Sequence, residues 1–245
     1  MITLTQNAYT AAWSCLGHHY EPPKAILCIS AHWYVDGLHI TGSPNPATIH
    51  DFNGFPEALS RMEYPAPGQP ELAQTLAERL KDWGALMDDQ WGFDHGSWTI
   101  LRHLYPRADI PVLQLSLNKS KTPEWHFDLG KTLSALREEG ILILGSGNVI
   151  HNLSLYDWNR PNRPPYDWAE RFEKRVCEWL LHRDFDPLIR YEKSGSDALH
   201  AIPTPEHYLP LLTVLGTITE EDNISFPVQG SEGGSISMLS IQIGG

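Results

Sequence analysis

Apolar residues along this chain fall into short unbroken runs and helical stripes, and the two patterns alternate. Ala25-Ile26-Leu27-Cys28-Ile29-Ser30-Ala31 is a short run with β-branched side chains, preceded by Pro22-Pro23 and followed by polar sequence. It predicts a buried strand over 25–31. Over 70–83, Leu72, Leu76, Leu80 and Trp83 recur on one helical face, with Pro70 at the start and Gly84 just past the end. Proline first and glycine last is the expected asymmetry of a helix. A second strand is predicted over 110–117. Residues 125–139 carry Leu129, Leu133 and Leu136 at helical spacing and stop at Gly140, and Ile141-Leu142-Ile143-Leu144 comes at once as a third buried strand. A longer helix is predicted over 166–182, with Trp168, Phe172, Val176 and Trp179 inward. Another is predicted over 207–216, with Leu211, Leu212 and Leu215. The tail, 224–228 and 236–243, reads as a terminal hairpin.

Strands alternating with helices imply crossover connections. The predicted fold is therefore α/β, with a central, mostly parallel sheet flanked by helices on both faces. A length of 245 residues permits one large domain or two small ones. No internal repeat, low-complexity tract or linker divides the chain, and the Pro/Arg/Asn-rich stretch 159–165 is short enough to be a surface loop. A single domain over 1–245 is expected. In open sheets of this kind ligands bind outside the carboxyl ends of the strands, so residues just past those ends matter most.

Composition narrows the function. Hydrophobic residues make up 41% and charged residues 20%, a globular balance that supports a substantial core. The net charge of −12 argues against nucleic acid, whose phosphates require a basic surface. No apolar run reaches about eighteen residues, so no membrane span is expected, and the N-terminus lacks a secretory signal. Cys15, Cys28 and Cys177 include no C-x-x-C pair, which gives neither a disulfide framework nor a thiolate zinc site. A cytoplasmic setting is expected. The 12 histidines carry more information, because imidazole is both a common metal ligand and a general base near neutral pH.

Four histidines stand at predicted element ends. His32 comes directly after the 25–31 strand, and His151 lies just past the 141–144 strand in Ser146-Gly147-Asn148-Val149-Ile150-His151-Asn152. His95 sits in the Gly-bracketed turn Gly92-Phe93-Asp94-His95-Gly96-Ser97-Trp98, and His207 opens the last helix in Pro203-Thr204-Pro205-Glu206-His207-Tyr208. Any one of them reads most simply as a hydrogen-bonded structural histidine; four in such places favour a site. Competing chemistries lack their central residues: there is no G-x-S-x-G elbow, H-E-x-x-H helix or G-x-x-x-x-G-K-[ST] loop. Gly145-Ser146-Gly147 opens like a dinucleotide fingerprint, but Ile150 stands where the third glycine belongs. Neutral imidazoles without thiolates suit Zn(II) in a hydrolytic site or Fe(II) with positions open for O2 and substrate, and donor type does not separate the two. His50 and Asp51 read as part of a loop closed by Phe52 and Phe55. Trp33, Trp98 and Tyr208 read equally as pocket walls and as core.

Ser30-Ala31-His32-Trp33, Thr48-Ile49-His50-Asp51-Phe52-Asn53-Gly54-Phe55-Pro56, Tyr64-Pro65-Ala66-Pro67-Gly68 and Trp91-Gly92-Phe93-Asp94-His95-Gly96-Ser97-Trp98 occur in that order. The His151 and His207 strings come after them. Together they resemble the class III extradiol ring-cleavage dioxygenases, in the 4,5-DOPA dioxygenase branch, over essentially the whole length. The resemblance implies His32 and His207 as metal ligands, His151 as a further ligand or acid/base, and His95 as a group that either supports the ligands from behind or contacts substrate. Glu206 is the alternative to His207, because other members of the class use a carboxylate. It also implies a divalent cofactor, Zn(II) or Fe(II), a small catechol substrate with O2, and a monomer or small homo-oligomer. The family carries a His-Gly-Ser-Pro-Met string after its first strand, and Met1-Ile2-Thr3-Leu4-Thr5 is similar to the family residues just beyond that string. A first strand and one metal histidine are therefore expected to be absent from this sequence, which exposes a sheet edge. His18 and His19 are poor substitutes by position. A zinc hydrolase on the same scaffold, a catalytically impaired metal-binding form and, least favoured, a nucleotide-binding enzyme are the alternatives.

Overall fold

A computed structural model of the chain describes residues 6–52 and 57–244. The first helix, α1 (Ala8–His19), leads into β1 (Ala25–Val35), whose residues 25–31 are all buried, as a strand covered on both faces requires. Next come β2 (Leu38–Thr41), α2 (Glu57–Ser60), α3 (Pro70–Arg79), β3 (Ala85–Asp88), α4 (His95–Leu104), β4 (Val112–Asn118), α5 (Pro123–Leu133), α6 (Ala135–Glu138) and β5 (Ile141–Ser146). After β5 come α7 (Asp167–Leu181), α8 (Asp186–Ile189), α9 (Ser196–Ala201), α10 (Leu209–Gly216), β6 (Ile224–Val228), β7 (Ser231–Glu232), β8 (Ile236–Ser237) and β9 (Ser240–Ile243).

The five-stranded sheet has the order β3-β2-β4-β1-β5. Its pairs are parallel except β2 with β4. The exception has a local cause. A turn at Asp36-Gly37, with Gly37 at φ +88, reverses the chain after β1, so β2 runs against β1 and β4. Alternation along β1 divides the core. Leu27 and Ile29 pack with Leu76 of α3, Leu129 and Leu133 of α5 and Leu212 of α10, while Ile26 packs on the other side with Trp98 and Leu101 of α4. Helices therefore cover both faces, and α1 lies outside α4 through Trp13 and Leu104. The mostly parallel α/β sheet expected from the sequence is the observed one. Among the described residues no helix is long and apolar enough to cross a membrane.

Several boundaries differ, each for a physical reason. β1 does not end at Ala31 but runs on to Val35. Its register with β4 breaks, Ile29 facing Leu115 and Tyr34 facing Leu117, so His32 sits within a bulged stretch rather than after the strand. The 70–83 helix ends at Arg79 and continues as one tight turn closed by Gly84 at φ +75. The 125–139 helix starts earlier, at Pro123 behind the Thr122 cap, and breaks at Ser134 into α5 and α6. The last helix begins at Leu209, next to Pro210, which leaves His207 in the preceding turn. In the tail β6 pairs antiparallel with β9, and the short β7–β8 pair lies between them. Hydrophobic pattern gives no boundaries for β2 and β3, four residues each, and suggests a turn where α4 starts.

Candidate active site

Each candidate histidine is placed by a different element. His95 is the first residue of α4, whose cap is Asp94; its Oδ1 accepts from the Ser97 N–H at 3.1 Å. Asp94 is fully buried. The Ser30 hydroxyl donates to it at 2.6 Å and the Gln114 amide at 2.7 Å, so one carboxylate joins β1, β4 and α4. The His32 N–H donates to Ser30 Oγ at 3.2 Å, which ties the bulge of β1 into the same network. A β-carbon on Gly96 would lie 2.8 Å from His32 Cδ2, so only glycine allows the first turn of α4 this close to the ring. His151 is held through its backbone, which donates to the Ala201 carbonyl at 2.9 Å. The His207 turn rests on the loop after β5. Its carbonyl accepts from Asn148 N–H at 2.8 Å, and a β-carbon on Gly147 would stand 2.1 Å from that oxygen. Gly145 likewise faces the Pro210 carbonyl, so these glycines serve close packing rather than a nucleotide phosphate.

The four rings gather at one place. His32 and His95 have ring centroids 3.9 Å apart, His32 and His207 5.3 Å, and His151 and His207 3.4 Å with planes within 4°. All four line a cleft of about 1230 Å³ that runs along the edge strand β5. Asp51 joins them unforeseen. Its Oδ2 is 3.1 Å from His32 Nδ1 and its Oδ1 3.0 Å from His95 Nδ1, and Oδ1 also accepts from the His95 backbone N–H at 2.8 Å. His32, Asp51 and His95 are the group among the described residues whose ligand atoms lie within 4.8 Å of one another. The only sequence signal for Asp51 is a carboxylate beside His50 in a loop, and chain position gives no hint of its target.

Charge states follow from burial. Burial pushes His151 down to about 4, helped by His32 and opposed by Glu206. His207 is held well below its ordinary value, first by burial and then by the other three rings. Burial alone would raise the Asp51 carboxyl, but its contacts with His32 and His95 outweigh that and hold it well below the carboxylate range. Neutral imidazoles and an ionised carboxylate are the forms that bind cations. The orientation of His207 is also legible. The Asn148 amide nitrogen donates to the Ser237 carbonyl at 2.8 Å, so Oδ1 faces His207 Nδ1 at 3.1 Å. The proton then belongs on Nδ1, and Nε2 keeps its lone pair. This donor set fits a divalent ion.

Other candidates are elsewhere. Glu206 accepts from the Thr204 hydroxyl at 2.7 Å and, unlike His207, does not line the cleft. His18 and His19 sit on the exposed last turn of α1 and do not themselves line the cleft. His50 Nε2 is 2.8 Å from the Met62 carbonyl, a loop contact as expected, while Phe55 lies outside the described residues. Trp33, Trp98 and Tyr208 are buried core, Trp33 stacked on Trp91, and none lines the cleft; Trp13, Tyr20, Tyr105, Tyr156 and Trp158 do.

A doubly covered, mostly parallel sheet with imidazoles and a carboxylate gathered beside its edge strand defines a class of enzymes built around a divalent cation. Within that class the chain belongs to the family described as the catalytic LigB subunit of aromatic ring-opening dioxygenase, which it matches over residues 10–235. It is 48% identical over 248 residues to the 4,5-DOPA dioxygenase extradiol of Escherichia coli K12, covering 100% of this chain and 91% of that protein. The protein of the same name from Beta vulgaris is 35% identical over 225 residues, covering 89% of this chain and 81% of that one. A crystal structure of an Escherichia coli K12 protein superposes with a TM-score of 0.86 at 43% identity, covering 99% of this chain and 94% of that one.

Proposed function

We propose that this chain is an extradiol dioxygenase that opens the ring of a DOPA-like catechol, with His32 and His207 holding a divalent ion. The observation that carries the reading is the convergence of His32, His95, His151 and His207 from four separate elements on one cleft. The names of the Escherichia coli and Beta vulgaris relatives support the substrate class. Because O2 must be activated, the reading names Fe(II) rather than redox-inert Zn(II), and the bound ion would offer open positions to the catechol oxygens and to O2.

The chain's own residues do the rest. His151 is assigned the proton work. Its ring stacks parallel on His207, so the in-plane lone pairs of the two run side by side instead of meeting on one ion. His151 is thus better placed to take a catechol hydroxyl proton and return it later than to share the metal. Burial keeps it neutral, with a ring lone pair unprotonated. His95, beside His32 in the cleft, contacts the substrate. The apolar and aromatic lining, including Leu144, Tyr105 and Tyr156, holds the ring and excludes water.

Oxygen uptake by the Fe(II)-reconstituted protein with DOPA tests the reading, with mass spectrometry of the product. One O2 consumed per catechol, and a product heavier by two oxygen atoms, is the expected result. His151→Ala should lose about 10²- to 10⁴-fold in ring cleavage, the range for general acid–base work, while still binding metal. Ester or amide hydrolysis without O2 would replace the reading with a zinc hydrolase, and full turnover by His151→Ala would remove His151 from its role.

A further inference from the structure

We infer that Asp51 is a positioning residue that sets the tautomers of two site histidines at once; this rests on the proposed roles of His32 and His95. One carboxylate presents a separate oxygen to each ring, Oδ2 to His32 Nδ1 at 3.1 Å and Oδ1 to His95 Nδ1 at 3.0 Å. At such distances an imidazole lone pair facing a carboxylate lone pair is repulsive, whereas an N–H is attracted. Both rings therefore carry their proton on Nδ1, and both keep the Nε2 lone pair. For His32 that leaves Nε2 for the cation, and for His95 it leaves Nε2 to accept from a substrate hydroxyl.

Asp51 is itself fixed. Its Oδ1 accepts the His95 backbone N–H at 2.8 Å, in the first turn of α4, where a negative charge is favoured. His95 Nδ1 is buried and makes no hydrogen bond of standard geometry, so its 3.0 Å approach to Asp51 Oδ1 is a charge contact, and no other acceptor competes for its proton among the described residues. The arrangement mirrors Asn148 at His207, where a side-chain oxygen likewise meets Nδ1. The difference is that Asn148 serves one ring and Asp51 serves two. An amide in place of Asp51 offers one acceptor and one donor, so it satisfies only one of the two N–H groups.

The test is long-range 1H–15N NMR of the metal-free protein with 15N-labelled histidine, assigned with single-histidine variants. In the parent protein His32 and His95 should both show the Nδ1–H pattern. In Asp51→Asn at least one should change to the Nε2–H pattern, and cobalt(II) titration should show an affinity lower by about 10- to 100-fold. Unchanged tautomers in Asp51→Asn overturn the inference, as does an Nε2–H signal from either ring in the parent, which settles the matter even if the variant does not fold. These readouts need no turnover. A parent protein that opens no catechol sinks the proposed reaction and leaves this inference standing.

Discussion

Asn148 shows how one side chain fixes the orientation of a histidine. Its amide nitrogen is committed to the Ser237 carbonyl, so its oxygen faces His207. Asn148→Ala should therefore free the His207 ring and lower divalent-metal affinity by about 10- to 100-fold, with little change in fold. Metal titration followed by calorimetry checks this, and unchanged affinity refutes it. Asn148 stands in the same short string as His151, yet its task is not legible there, because its partners come from chain positions far apart. The same holds for Asp51, which sequence pattern assigns to a loop. By contrast His32, His95, His151 and His207 are legible, since imidazoles near the ends of apolar runs follow from where sheets bind ligands. Trp33, Trp98 and Tyr208 turn out to be core, because aromatic residues beside a motif serve packing as readily as a pocket.

At the scale of elements, the site depends on how α4 and the loop after β5 are pinned. Asp94 is a helix cap and the hub of a buried network with Ser30, Ser97 and Gln114. Asp94→Ala removes the cap and strands buried donors, so unfolding in urea should show a loss of about 2–4 kcal/mol. An unchanged midpoint would show that the network carries no stability. Gly147→Ala should act differently, by forcing the His207 turn away from β5, since the new carbon would meet a backbone oxygen rather than a movable side chain. The cost should be about 1–3 kcal/mol together with weaker metal binding. Long elements with clear periodicity, such as α7, and the buried runs of β1 and β5 are readable from hydrophobic pattern. The four-residue strands β2 and β3 are not, because so few positions carry no period. The start of α4 is hidden behind two glycines that suggest a turn; one of them is there for the close approach of His32.

For the whole molecule, the buried histidines couple folding to pH. Burial depresses His126, His151 and His207 alike. His126 also uses both nitrogens when neutral, Nε2 accepting from the Asn118 N–H at 3.2 Å and Nδ1 lying 2.9 Å from the Thr122 carbonyl. In the unfolded chain these groups titrate near 6.5, so between about 6.5 and about 4 the unfolded state binds more protons than the native state. Stability of the metal-free protein must then fall as pH falls through that window. His151 alone accounts for on the order of 3 kcal/mol at its lower end. Urea unfolding across the window measures it, and a flat profile would contradict the buried, neutral assignments. Bound metal should oppose the His207 part of the loss, because the proposed ion would hold that ring unprotonated.

Anomalous diffraction from crystals loaded with a divalent metal tests the central claim most directly. A single strong peak is expected in the cleft, about 2.1 Å from an imidazole nitrogen of His32 and another of His207, with Asp51 and Asn148 still on the far nitrogens. A peak that contacts neither ring, or a fully loaded protein with both rings bare, would contradict it.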